Sequence, residues 1–371
     1  MRAAYPVILQ RVITDEPVRG SYAYVEKPGL FGLSGLDQLR LFTEGRAPGP
    51  PIHHLAGLVV VDAREGASTW SMPASPWWRS ATGLFPGGAL AFVADAALGG
   101  AIYTVQPART SVVTSELSLD FVRPATPSSR TLSATGRVVH VGRRQALSEA
   151  RIEDAAGALL AHATSRCLVQ PVPFDPPELP ASWSTLPVAD PADPDPYQRP
   201  PQGEVLPQAE WDRAGGLELM QRWVAGELRL PPICHLLGWR PLEVDQGAAA
   251  WTMPASEWFC TGYATFYGGA VGLLADGAIG TAITTTIPAG AAFGTLDLKV
   301  NFLRPVTADG RDLVARGTVV HRGRRIVVAT ATVEDADGKR LAMATGSAMI
   351  LPARPWSTVS RDDLAPNGHE D

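Results

Sequence analysis

Residues 87–99 read Gly-Gly-Ala-Leu-Ala-Phe-Val-Ala-Asp-Ala-Ala-Leu-Gly, and residues 268–280 read Gly-Gly-Ala-Val-Gly-Leu-Leu-Ala-Asp-Gly-Ala-Ile-Gly. The two stretches belong to a longer repeat. Residues 52–170 return at 233–351 with a constant offset of 181 and no gap. Met72-Pro73-Ala74-Ser75 answers to Met253-Pro254-Ala255-Ser256, and Phe121, Arg123 and Pro124 answer to Phe302, Arg304 and Pro305. So long a period marks a duplicated domain; solenoid units repeat every 20–50 residues or so. The comparison of the two copies shows what each keeps and what each changes.

Working outward, the apolar stretch with its Gly-Gly start predicts an apolar helix over about 87–103 and 268–284, packed against one face of a sheet. The preceding strands are expected near 56–62 and 237–243, followed by strands ending at Met72 and Met253. Thr295 to Phe302 alternates polar and apolar residues, as does Glu116 to Phe121, the pattern of a half-buried strand. Two hairpins follow in each copy, around Gly142 or Gly323 and around Asp154–Gly157 or Asp337-Gly338. Leu36–Phe42 and Leu217–Trp223 show helical apolar spacing. One long helix against a run of antiparallel strands makes an α+β unit. Residues 171–210 hold twelve prolines, which remove backbone donors and favour extended geometry, so a stiff surface linker is expected between the copies.

The whole chain has 371 residues, 45% hydrophobic and 19% charged, with a net charge of -5. That is ordinary globular composition, and the charge argues against a nucleic-acid partner. Cys167, Cys234 and Cys260 form neither a disulfide framework nor a zinc pattern, which points to a reducing compartment. The opening MRAAYPVILQRV is too weakly apolar for a signal peptide, and no run is long enough for a membrane span. The expectation is a cytoplasmic protein with no membrane partner.

The motifs Gly87-Gly88-x6-Asp95, Leu117-x-Leu119-x-Phe121-x-Arg123-Pro124 and Val138-Val139-His140-x-Gly142-Arg143, with their second copies, resemble those of hotdog-fold acyl-CoA thioesterases of the phenylacetate-pathway (PaaI-like) type. The resemblance covers roughly 34–172 and 214–353 and leaves 173–213 as the linker. It implies two tandem hotdog domains, each a curved antiparallel sheet wrapped around one long helix, forming an intramolecular pseudo-dimer, a double hotdog. It further implies hydrolysis of acyl-CoA to acid and CoA with no metal and no cofactor beyond the CoA of the substrate. A homodimer of double-hotdog chains is a further option.

An aspartate inside an apolar helix is costly to bury without partners, and desolvation raises its pKa into a range useful for proton transfer. Asp95 and Asp276 are therefore candidate catalytic carboxylates, the position of the family's base or nucleophile; a structural, hydrogen-bonded aspartate is the other reading. Backbone N–H groups at a helix start lack intrahelical partners and carry the positive end of the dipole. Gly87 and Gly268 thus match the family's oxyanion donor. Thr114 and Thr295 match a hydroxyl that orients water.

The chain departs from the family's Asn-x-x-Gly-x-x-His-Gly-Gly: the Asn position holds Ser80 and Thr261, and the His position holds Pro86 and Tyr267. Family sites form across the dimer, so one arrangement joins Gly87 and Ser80 to Asp276 and Thr295, and the other joins Gly268, Tyr267 and Thr261 to Asp95 and Thr114. The second is favoured, because Tyr267 can donate a hydrogen bond where Pro86 cannot. Arg143, Arg144, Arg324 and Arg325 suit the phosphates of CoA, or form a solvated hairpin edge. Trp77-Trp78 and Trp258-Phe259 either line an acyl pocket or pack the core. His54, His140, His235 and His321 are read as structural. The alternatives to hydrolysis are an acyl-thioester binder without turnover, suggested by the lost His and Asn, and less strongly a dehydratase or hydratase, suggested by Leu84-Phe85-Pro86-Gly87.

Overall fold

The computed structural model describes residues 28–179 and 194–351. The N-terminal segment and most of the proline run from Asp190 lie outside these residues. In chain order the first copy contains α1 (Gly35–Thr43), α2 (Pro51–Ala56), β1 (Val59–Arg64), β2 (Ala67–Pro73), α3 (Gly87–Tyr103), β3 (Thr110–Phe121), β4 (Thr131–Val141), β5 (Gln145–Asp154) and β6 (Leu159–Pro171). The second contains α4 (Gln208–Arg213), α5 (Gly216–Val224), α6 (Pro232–Leu237), β7 (Arg240–Asp245), β8 (Ala248–Pro254), α7 (Gly268–Thr284), β9 (Ala292–Phe302), β10 (Asp312–Arg322), β11 (Ile326–Glu334) and β12 (Arg340–Leu351). The long helices span the predicted ranges, and the strands after them follow the predicted alternation.

All twelve strands join one antiparallel sheet in the order β1-β2-β4-β5-β6-β3-β9-β12-β11-β10-β8-β7. The halves meet where β3 pairs with β9, from Glu116 opposite Asn301 to Asp120 opposite Asp297. At this seam Leu117 faces Val300 and Leu119 faces Leu298, all four essentially inaccessible to solvent. Burying such side chains stabilises by about 1.5–3 kcal/mol each, so the apolar face runs unbroken from one copy into the other. On the opposite face the Lys299 ammonium lies 3.6 Å from the Glu116 carboxylate. Each half is a hotdog domain, its sheet wrapped around α3 or α7, and the pair forms the pseudo-dimer inside one chain.

The two long helices cross closely. A Cβ placed on Gly88 would stand 2.6 Å from the Cα of Leu273, and one on Gly269 would stand 2.9 Å from the Cα of Phe92. The second glycine of each pair is therefore required by helix packing, because no other residue lets the backbones come so near.

Three local expectations are corrected. The strands expected from 56 and 237 start at Val59 and Arg240, because the short helices α2 and α6 precede them, each with proline in its first turn and a left-handed glycine, Gly57 or Gly238, at its end. Proline suits the first turn of a helix and left-handed glycine its end. The later part of the presumed linker is packed structure. Arg199 accepts a hydrogen bond from Trp77 Nε1 at 2.8 Å, His54 pairs with Asp195 at 3.0 Å, and α4 buries Trp211. The repeat also begins earlier than residues 34 and 214, since a 3-10 turn at Pro28–Gly32 occupies the place of α4 in the first copy.

Candidate active site

Asp95 and Asp276 sit in the middle of α3 and α7 and are 5% and 4% exposed. Each carboxylate is reached by the opposite helix start. Gly88 N–H donates to Asp276 Oδ2 at 2.8 Å, and Gly269 N–H donates to Asp95 Oδ2 at 2.8 Å. These amides are orphan donors of the first helical turn. The two clusters are thus built across the copies, as the sequence suggested, though the amide on each carboxylate belongs to the second glycine. The first, Gly87 or Gly268, has its own N–H at the helix start without an intrahelical partner. Burial lifts both carboxylates to about 6; Gly88 N–H holds Asp276 back in part, and Thr114 and then Gly269 do so for Asp95.

The strand threonines are aimed by matching bulges. Ser115 is an extra residue between Thr114 and Glu116 in β3, as Leu296 is between Thr295 and Asp297 in β9. Bulges of this kind re-aim side chains beside functional sites. Thr114 Oγ1 donates to Asp95 Oδ1 at 2.9 Å. Thr295 instead lines a cavity, and among the described residues the hydrogen bond to the Asp276 carboxylate comes from Gly88 alone.

That cavity, of about 180 Å³, opens on Asp276. Gly87, Pro86, Ser80 and Thr295 line it. Its wall also takes in α7 from Asp276 to Thr284 and the rings of Trp211, Trp223, Trp239 and Trp251, which make it a largely aromatic chamber. Trp251 is held by its Nε1–H, which donates to Thr281 Oγ1 at 2.9 Å, and Gly277 leaves room for the Trp239 ring. The first arrangement therefore owns the cavity, although the other was favoured on the sequence.

The expected donor role of Tyr267 is corrected as well. Its hydroxyl donates to the carbonyl of Phe92, and its ring packs edge-on to Phe92 at 4.9 Å. Burial pushes that hydroxyl far above the ordinary tyrosine pKa. Thr261 bonds to Thr265 at 2.7 Å, and Ser80 bonds to Thr82 at 2.9 Å.

Other candidates fall elsewhere. Arg143, Arg144, Arg324 and Arg325 lie exposed in hairpin turns and are not among the cavity-lining residues. By register, Arg325 lies two positions before Val327, which pairs with Ala348, which in turn pairs with Thr295. The turn thus lies toward the Thr295 end of the sheet. Arg123, in the Arg-Pro motif, lines the cavity and donates to the carbonyl of Leu159, and Arg304 donates to the carbonyl of Arg340 at 2.5 Å. Trp77, Trp78 and Phe259 are core residues. The four chamber tryptophans were not singled out by sequence reasoning; their concentration in the second copy's half of the chain was the available signal.

Two segments, 83–161 and 263–342, match the thioesterase superfamily model. They fall one in each copy and contain both helices and both aspartates. Among solved structures, a proposed thioesterase from Novosphingobium aromaticivorans is 17% identical, with a TM-score of 0.50 over 78% of this chain and 97% of its own; this similarity is one of fold. A thioesterase family protein from Silicibacter pomeroyi is 30% identical over 37% of this chain and 99% of its own, with a TM-score of 0.33. The PaaI protein from the phenylacetic acid degradation operon of E. coli is 28% identical over 31% of this chain and 81% of its own, with a TM-score of 0.29. No curated protein matches the chain. Among the described residues no helix is long and apolar enough to cross a membrane. Each copy is accordingly a hotdog domain, and the central segment of each is similar to the thioesterase superfamily model.

Proposed function

We propose that the chain hydrolyses acyl-CoA thioesters where Asp276 of the second copy meets the start of α3 in the first, in the manner of PaaI-like enzymes. The observation that carries this reading is the coincidence of a buried carboxylate, a helix start and an apolar chamber in one cavity. The thioester carbonyl lies over the α3 start, where the Gly87 N–H and the helix dipole stabilise the oxyanion. The acyl group occupies the tryptophan-walled chamber and the CoA leaves toward solvent. Asp276 takes a proton from water as the water oxygen bonds to the carbonyl carbon. In the alternative it attacks that carbon itself, and after the thiolate has left, water hydrolyses the resulting acyl anhydride to free acid and the Asp276 carboxylate, the released proton going to the sulfur. The C–S bond then breaks, its electron pair leaves on the CoA sulfur, and the sulfur is protonated to the thiol. Gly88 N–H keeps the carboxylate in position.

Release of free thiol from a panel of acyl-CoAs of increasing acyl size tests this. Hydrolysis should be measurable in the whole chain and should vanish in Asp276→Asn. Equal rates for the two proteins would end the proposal.

A second reading, acyl-thioester binding without turnover, is favoured by one observation. No imidazole or amide side chain replaces the family's His and Asn, since Pro86 has no N–H and the Ser80 and Thr82 hydroxyls bond to each other. The same panel separates the two, because a binder would take up acyl-CoA by calorimetry and release no thiol.

A further inference from the structure

We infer that the chain takes a single acyl thioester, in the Asp276 cavity, and that the equivalent space beside Asp95 is occupied by the protein's own side chains. The inference rests on the thioesterase reading for the nature of the ligand, and on the geometry for the count. The two sites are related by the repeat, so each position in one has a counterpart 181 residues away in the other. Four counterparts differ sharply in volume. Thr284, Thr82, Pro86 and Cys234 line the open cavity; their counterparts on the Asp95 side are Tyr103, Tyr263, Tyr267 and His53.

These larger side chains are fixed where they stand. Tyr103 and Tyr263 stack at 5.3 Å with their planes within 10°. Tyr263 donates to Gln38 Oε1 at 2.6 Å, and Gln38 is itself anchored on the carbonyl of Leu33 at 3.0 Å. Tyr103 accepts from the Val112 N–H at 3.3 Å. Tyr267 is bonded to Phe92 across the helix crossing, and the His53 ring packs edge-on to Phe42 and Trp70 at 6.1 and 5.7 Å. A ligand entering here would have to break buried hydrogen bonds and expel packed rings, whereas beside Asp276 it meets empty space. At the aromatic wall the sizes run the other way, since Trp211, Trp223 and Trp239 are answered by the smaller Leu30, Phe42 and Leu58; the plug on the Asp95 side is made by the three tyrosines and His53.

The carboxylates carry the same asymmetry. Asp95 has one donor on each oxygen, Thr114 on Oδ1 and Gly269 on Oδ2. Asp276 has its donor on Oδ2, which leaves the other oxygen for water or substrate. Asp95 is thereby a clasp between the long helices and strand β3, and the duplication has given one copy's carboxylate a structural task while the other faces the chamber.

The test is calorimetric titration of the full chain with S-hexyl-CoA, a thioether that cannot be hydrolysed. The wild type should bind one equivalent. Copying the plug to the open side, as Thr82→Tyr with Thr284→Tyr, should abolish binding; Thr284→Tyr alone, with an unchanged circular-dichroism spectrum, should weaken it at least about tenfold. Two equivalents or none in the wild type, or undiminished binding in a folded plugged variant, would overturn the inference. Failure of the hydrolytic reading is visible separately, as a wild type that binds one equivalent of the thioether yet leaves hexanoyl-CoA intact.

Discussion

The backbone N–H of Gly88 lies 2.8 Å from Asp276 Oδ2, and the two residues are 188 positions apart in sequence, more than one full repeat. This bond joins the start of one copy's central helix to the middle of the other's. It explains how an aspartate is tolerated in an otherwise apolar helix, because a buried carboxylate needs a donor and the first helical turn has donors to spare. It also places the helix start, with its positive dipole end, beside the carboxylate that faces the cavity.

If that carboxylate is the base or nucleophile, Asp276→Asn should lower kcat by about 10²–10⁴, the usual contribution of positioned proton transfer. Steady-state hydrolysis of a favoured acyl-CoA measures it. A loss confined to KM would instead assign the aspartate to substrate binding.

The rate should also follow pH through the carboxylate's own titration. Burial lifts Asp276 to about 6, and the form that accepts a proton or attacks is the ionised one. Below that pH the acid form dominates and log(kcat/KM) should rise with a slope of one, reaching a plateau near neutrality. Initial rates between about pH 5 and 8 decide it. A midpoint at the ordinary carboxylate value would mean that Asp276 is solvated during turnover.

The same burial makes Asp276 a cost to the fold. Its pKa rises from 3.8 unfolded to about 6 folded, so between those values the folded state holds more protons than the unfolded one, and stability falls as pH rises. The contribution is fully present below about pH 4 and is lost as pH passes through about 6. Asp276→Asn removes this cost and keeps an oxygen for Gly88 N–H. At pH 7.5 it should stabilise by roughly 1–3 kcal/mol, with the advantage shrinking toward pH 5, as read by thermal melts. An inactive variant that melts higher than the wild type would show a functional residue held at the expense of stability.

The repeat made much of this architecture readable. Gly87 to Tyr103 is apolar on every face, and only a helix wrapped on all sides by protein suits such a segment. The alternation in Thr295–Phe302 showed which residues face that helix. Cross-copy assembly was readable through the family resemblance. Less visible were α2 and α6, whose six residues are too short to show a helical period, and α4, which stands at the end of a proline-rich stretch. The open site was misjudged for a physical reason. Tyr267 and Pro86 were compared by their ability to donate a hydrogen bond, but their difference in volume governs the site, together with three partners: Tyr103 and His53, which lie outside the motif, and Tyr263, which fills one of its unspecified positions. Those partners come from both copies and meet only in the folded chain.

The helix crossing offers a last contrast within α3. A Cβ on Gly88 would meet the Leu273 Cα at 2.6 Å and the Asp276 Cβ at 3.1 Å. The first of these is backbone of the facing helix and cannot turn aside. Gly88→Ala should therefore push the helices apart and lengthen the bond to Asp276, costing about 1–3 kcal/mol or more as overpacking does, and lowering kcat along with Tm. Gly99, eleven residues on in the same helix, has nothing within 4 Å of its would-be Cβ. There the added methyl only restricts the unfolded chain and improves helix propensity, so Gly99→Ala should stabilise by about 0.5–1 kcal/mol and leave turnover as it was. Melting temperatures and kcat for the two variants, measured side by side, separate a glycine that the site requires from one that the helix merely tolerates. Equal effects would mean that the helix crossing does not hold Asp276 in place.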